Sequence, residues 1–78
     1  MTNRDPYIKG MTDAELADYI PTLQSMLYNA SEIGGMNIAM GNRRQANAAS
    51  RQVFRLTRLL DIAVNVKRQR IIAGEWTA

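Results

Sequence analysis

The sequence predicts an all-α protein: an antiparallel two-helix hairpin with a long basic C-terminal helix, associating as a helical homodimer. Three observations predict it. Leu16, Ile20, Leu23, Leu27 and Ala30 recur at intervals of 4, 3, 4 and 3 residues, and Ala49, Val53, Leu56, Leu60 and Ala63 repeat the same intervals. That is the period of a helix with one buried face. No segment alternates as a strand does, since Val64-Asn65-Val66 and Arg70-Ile71-Ile72 are too short. Finally, the chain has 78 residues and no cysteine. It sits near the lower limit for a self-sufficient core and has no disulfide to staple it, so burial gained by association is the default.

Residues 1–10 are polar, with a turn favoured at Asp5-Pro6 and Gly10 closing the segment; a flexible arm is expected there, leaving residues 11–78 as a single helical domain. The first helix begins at a capping box. The Thr12 hydroxyl can accept from the Glu15 amide while the Glu15 carboxylate accepts from the Thr12 amide, and Met11 and Leu16 stand where a hydrophobic staple closes. Asp13 and Glu15 complement the positive end of the helix dipole. Pro21 removes one backbone donor and disfavours a helical Ile20. The apolar register continues across it, which favours one kinked helix over two separate ones. Gly34-Gly35 is the expected stop.

Residues 36–41 fit either a loop or an early turn of the next helix. Asn42, with Gln45 three residues on, supplies a cap. The second helix then runs to about Ala73 with Gly74 ending it. At about 1.5 Å per residue, a second helix of about 31 residues outreaches a first of about 21 by some 15 Å. That leaves Leu59, Ile62, Val66, Ile71 and Ile72 partly naked. Either a second chain covers them, or Trp76 and the N-terminal arm fold back; dimerisation is the more economical solution, and these five residues are the candidate oligomer or partner interface.

Charge is distributed unevenly. Residues 1–39 set two cations against five acids, and residues 40–78 set eight cations against two acids, so the net +3 divides into an acidic first half and a strongly basic second half. Such asymmetry points to an acidic partner, nucleic acid or an acidic protein surface, or to head-to-tail pairing of two chains. Arg44, Arg51, Arg55 and Arg58 share one narrow stripe of the second helix, nearly opposite the apolar one. A solvated face usually mixes signs so that neighbours four apart attract; here Arg51 and Arg55 repel. Arginine also grips phosphate or carboxylate with two parallel donors. These four are therefore the leading candidates for contact with an acidic partner, with internal salt bridges and a solvated face as the competing readings.

Only Phe54 lies close to the stripe, so the expected contact is with phosphates, of structured RNA or of a DNA groove, rather than stacked bases. Lys67, Arg68 and Arg70 form a second basic cluster whose simplest role is to offset the C-terminal dipole, with phosphate contact left open for Arg68 and Arg70. Asp61 can pair with Arg58. Met26, Met36 and Met40 bracket the diglycine, and filling an irregular core is favoured over lining a groove for a partner helix. Gly34, Gly35 and Gly41 make no nucleotide loop, because no Lys-Ser/Thr pair follows and no strand precedes.

Without histidine or cysteine the usual proton shuttle and thiol nucleophile are missing. No paired acid and base or metal triad is evident either. A non-enzyme is expected, with no cofactor, metal or small-molecule substrate. No apolar run approaches the roughly 20 residues that cross a bilayer, and no signal-peptide core opens the chain. With cysteine absent, a soluble cytoplasmic protein is expected.

Met11-Thr12-Asp13-Ala14-Glu15-Leu16, Leu23-Gln24-Ser25-Met26-Leu27-Tyr28, Ala39-Met40-Gly41-Asn42 and Arg51-Gln52-Val53-Phe54-Arg55-Leu56-Thr57-Arg58-Leu59 give residues 11–60 a partial resemblance to the ribosomal protein uL29 family. The chain departs from that family in Pro21, in a longer middle around Gly34-Gly35, in its few lysines and in its arginine spacing. The resemblance implies a small helical hairpin seated on large-subunit RNA, with Arg51, Arg55 and Arg58 as RNA contacts. The residues by themselves support two classes of function: a nucleic-acid-binding accessory protein, or a protein-binding regulator or inhibitor of the phage or mobile-element type. A virion or assembly component is not separable from the second.

Overall fold

A computed structural model describes residues 5–78. It contains three helices, α1 (Asp5–Lys9), α2 (Asp13–Ala39) and α3 (Arg43–Ile72). The two long ones pack together as a helical hairpin about 49 Å in its longest dimension. The first four residues of the expected arm lie outside the described ones. The rest of that arm differs from expectation, because Asp5 to Lys9 are helical and Ile8 is fully buried.

The start of α2 is the one expected from sequence. The Thr12 amide donates to Glu15 Oε1 at 2.9 Å, and the Glu15 amide donates to Thr12 Oγ1 at 3.1 Å. Two of the helix's otherwise unpaired N-terminal donors are satisfied this way. Pro21 lies within α2, exposed on its outer surface, and the helix continues through it. One helix, not two, carries the register.

The end of α2 corrects the sequence reading. Gly34 and Gly35 are helical, and the helix continues past them to Ala39. Gly41 has φ of +78°, the left-handed conformation that glycine adopts without steric cost. The Asn42 amide donates to the Asn37 carbonyl at 2.8 Å and the Gly41 amide to the Ile38 carbonyl at 3.1 Å, a Schellman closure. The same geometry ends α3 at Gly74, where the Glu75 amide reaches the Arg70 carbonyl and the Gly74 amide the Ile71 carbonyl. Asn42 makes no side-chain cap bond to α3. Its amide nitrogen instead donates to Asn37 Oδ1 at 3.4 Å.

Gly34 is buried because the helices come close there. A Cβ built on it would sit 3.3 Å from the Ala49 Cβ. Ala30 and Ala46, both buried, continue this small-residue seam near the turn. Toward the other end the core enlarges to Leu16, Ile20, Leu23, Leu56, Leu59, Ala63 and Val66.

The extra residues of α2 remove most of the length mismatch. With 27 and 30 residues, the two helices differ by only about 5 Å at 1.5 Å per residue. What remains is covered from within the chain. Ile8 joins Leu59 and Val66 in one cluster, and Met11 and Trp76 pack against it. This fold-back covers Leu59 and Val66.

Candidate nucleic-acid interface

Arg44, Arg51, Arg55 and Arg58 are exposed along α3. At about 100° per residue they fall within some 60° of one another and extend over roughly 21 Å of helix. Among the described residues the one ion pair is Arg70–Asp13, so none of these four guanidinium groups is paired with a carboxylate. The pairing of Asp61 with Arg58 is not made. Nothing local offsets the repulsion between Arg51 and Arg55. A face that tolerates such crowding can gain by meeting an external anion.

The second basic cluster is divided. Arg70 is half-buried and turned inward. Its Nη1 donates to Asp13 Oδ1 at 2.8 Å, and its Nη2 donates to the Met11 carbonyl at 2.7 Å and the Lys9 carbonyl at 3.0 Å. Asp13 Oδ2 in turn accepts from the Thr77 amide at 2.9 Å and the Thr77 hydroxyl at 3.0 Å. These bonds join the α1–α2 link, the start of α2, the end of α3 and the C-terminal tail. Arg70 therefore leaves the set of partner-contacting candidates. The backbone hydrogen bond from Thr77, followed by the Arg70 side chain, holds the Asp13 carboxyl below its ordinary 3.8. Lys67 is also engaged internally, its Nζ standing 5.3 Å from the centroid of the Trp76 ring. Arg68 alone of the three projects freely into solvent.

The candidate apolar interface is likewise split. Leu59 and Val66 are buried and Ile62 is half-buried against the core, so none of the three presents a naked docking surface. Ile71 and Ile72 are exposed, Ile72 to 79%. The methionines also depart from expectation: Met26, Met36 and Met40 are exposed, with Ile33 and Ile38 beside them. The core-filling role assigned to them is not what the fold uses, because residues 36–40 continue α2 to the turn instead of looping back over the core.

An open groove runs between the two long helices near the turn, lined by Ala30, Ile33, Asn37, Gln45, Ala48, Ala49 and Gln52. Arg44 and Arg55 lie within about 40° of Ala48 around α3, so these two arginines flank that groove. Phe54 lies on the outer surface of α3, 76% exposed, beside the arginine stripe and away from the core.

Among the described residues no group of three His, Cys, Asp or Glu side chains is arranged to hold a metal ion. Among the described residues no helix is long and apolar enough to cross a membrane. Compared with protein-family models, with curated proteins and with solved structures, the chain matches none.

The sequence alone could not reveal the Asp13–Arg70–Thr77 network, whose members are 57 and 64 positions apart. Phe54's exposure was available from the helical period, which sets it far round from the Leu56 face.

Proposed function

We propose that this protein is a non-catalytic nucleic-acid-binding protein whose α3 arginines grip phosphates. The observation that carries the reading is the row of four exposed guanidinium groups, Arg44, Arg51, Arg55 and Arg58, without a carboxylate partner among the described residues. Arg68 extends the same basic surface toward the far end of α3. Arginine's planar fork suits phosphate oxygens, and a row on a stiff helix meets a repeating backbone charge without ordering a loop. In this reading the hairpin is antiparallel and acts in the cytoplasm. The uL29 resemblance supports the same class of partner, with Arg51, Arg55 and Arg58 as the corresponding RNA contacts.

Titration of a labelled RNA or duplex DNA over a range of salt concentrations tests it. Four neutralised phosphates give a log–log salt slope of about −3 to −4. The double substitution Arg51→Gln/Arg55→Gln should flatten the slope by about two and weaken binding to every sequence alike. Absence of salt-sensitive binding to either polymer would remove the proposal.

A second reading, a protein-binding regulator or assembly component, is favoured by the exposed Ile33, Met36, Ile38 and Met40 around the α2–α3 turn. A cluster of flexible apolar side chains suits an adaptable protein contact. Capture of partners from native lysate with and without nuclease separates the two, since only the first loses its partners on nuclease treatment. The homodimer keeps a narrower basis than the sequence suggested: of the five candidate interface residues, Ile71 and Ile72 are those left exposed for a second copy to cover, and sedimentation equilibrium tests for it.

A further inference from the structure

Phe54, the one aromatic side chain of α3, is 76% exposed, and it borders the cationic stripe on its Arg58 side. By helical period it lies about 40° from Arg58 and 60° from Arg51. Along the axis Arg51 is about 4.5 Å before it and Arg58 about 6 Å beyond. Residues at these separations, three and four apart, are direct neighbours on a helix surface. Among the described residues the only cation–ring contact is Lys67 with Trp76, so the Phe54 ring is not covered by an arginine of its own chain. The core does not need it either, since the inward positions around it are filled by Val53 and Leu56.

A ring open on its face, with a guanidinium on each side along the helix, matches an unpaired nucleotide. The base can stack on the ring while the phosphates before and after it meet Arg51 and Arg58. A duplex cannot use the ring in this way, because its bases are already stacked on one another. We propose that the interface is selective for single-stranded or looped nucleic acid, with Phe54 as a stacking platform between Arg51 and Arg58. This departs from the duplex- or structured-backbone contact expected from sequence, and it rests on the phosphate-binding reading above.

Fluorescence anisotropy with a labelled oligothymidine strand and with a duplex of equal length provides the test, using the wild-type chain and the variants Phe54→Ala, Phe54→Trp and Arg51→Gln. Phe54→Ala should weaken single-strand binding about tenfold and leave duplex binding within twofold, because base stacking is lost and charge is not. Phe54→Trp should restore or exceed wild-type binding, and Arg51→Gln should weaken both ligands. Since Phe54 is exposed, its variants should retain the wild-type circular dichroism and melting temperature, which verifies that the fold is intact. If Phe54→Ala binds the single strand as the wild type does, the stacking platform is overturned while the phosphate-binding reading survives. If the wild type binds neither ligand in a salt-sensitive manner, both fall together.

Discussion

Replacing Gly35 and Gly41 in turn by alanine should shift stability in opposite directions. The two glycines lie six positions apart but play different structural roles. Gly35 is inside α2, with nothing within 4 Å of a Cβ built on it. Alanine there adds no clash and recovers the helix-propensity difference, about 1 kcal/mol. For a domain of this size that raises the melting temperature by about 4–8 °C. Gly41 is equally open, but its φ of +78° costs a residue with a Cβ about 1–2 kcal/mol. Gly41→Ala should therefore lower the melting temperature by a similar or larger amount. Gly34→Ala belongs between them: the propensity gain is the same, but the new methyl lies 3.3 Å from the Ala49 Cβ, and the two helices must part slightly. Urea and thermal unfolding followed by far-ultraviolet circular dichroism measures all three, with unchanged m-values verifying that the change is one of stability. Destabilisation by Gly35→Ala comparable to that by Gly41→Ala would mean that the diglycine is a chain break, and that α2 does not run unbroken from Asp13 to Ala39.

Leu56→Ala should cost about 2–5 kcal/mol, since Leu56 is 2% exposed at the centre of the α2–α3 interface; urea unfolding that gave it the same small effect as an exposed-face substitution would contradict the assigned face. Arg70→Gln should release the C-terminal tail and α1 together, because one guanidinium donates to Asp13, Lys9 and Met11. The readouts are a red-shifted Trp76 emission and faster amide exchange at residues 75–77; exchange unchanged there would show that the bonds do not hold the tail. The acid limb of the stability curve has a defined sign. Thr77 and Arg70 lower the Asp13 carboxyl below 3.8, and the backbone and side chain of Thr12 lower that of Glu15 below 4.5. The unfolded chain thus binds protons more readily, and this stabilisation is present above those ordinary values and lost as pH falls through the lower folded ones. Asp13→Asn should make the loss below about pH 4 shallower; an unchanged acid profile would show that Asp13 does not contribute to it.

Features that depend on neighbours within a turn or two of the same helix were legible in the chain alone. The Thr12–Glu15 capping box, the Gly74 stop and the alignment of four arginines opposite Leu56 follow from hydrogen bonds and helical phase at short separations. Packing between distant segments settled the rest. Gly34 and Gly35 carry a strong local stop signal, yet both stay helical, Gly34 packed close against Ala49, and the turn falls at Gly41. Nothing local sets Arg70 apart from the other arginines; Asp13, 57 positions away, takes its charge. Leu59 and Val66 would need a second molecule to cover them, had Ile8 and Trp76 not folded over that end. Local preferences of about a kilocalorie per mole set where helices can begin and end. Burial of several side chains together, each worth more than that, selects among those options, and helical periodicity alone does not say which distant residues supply it.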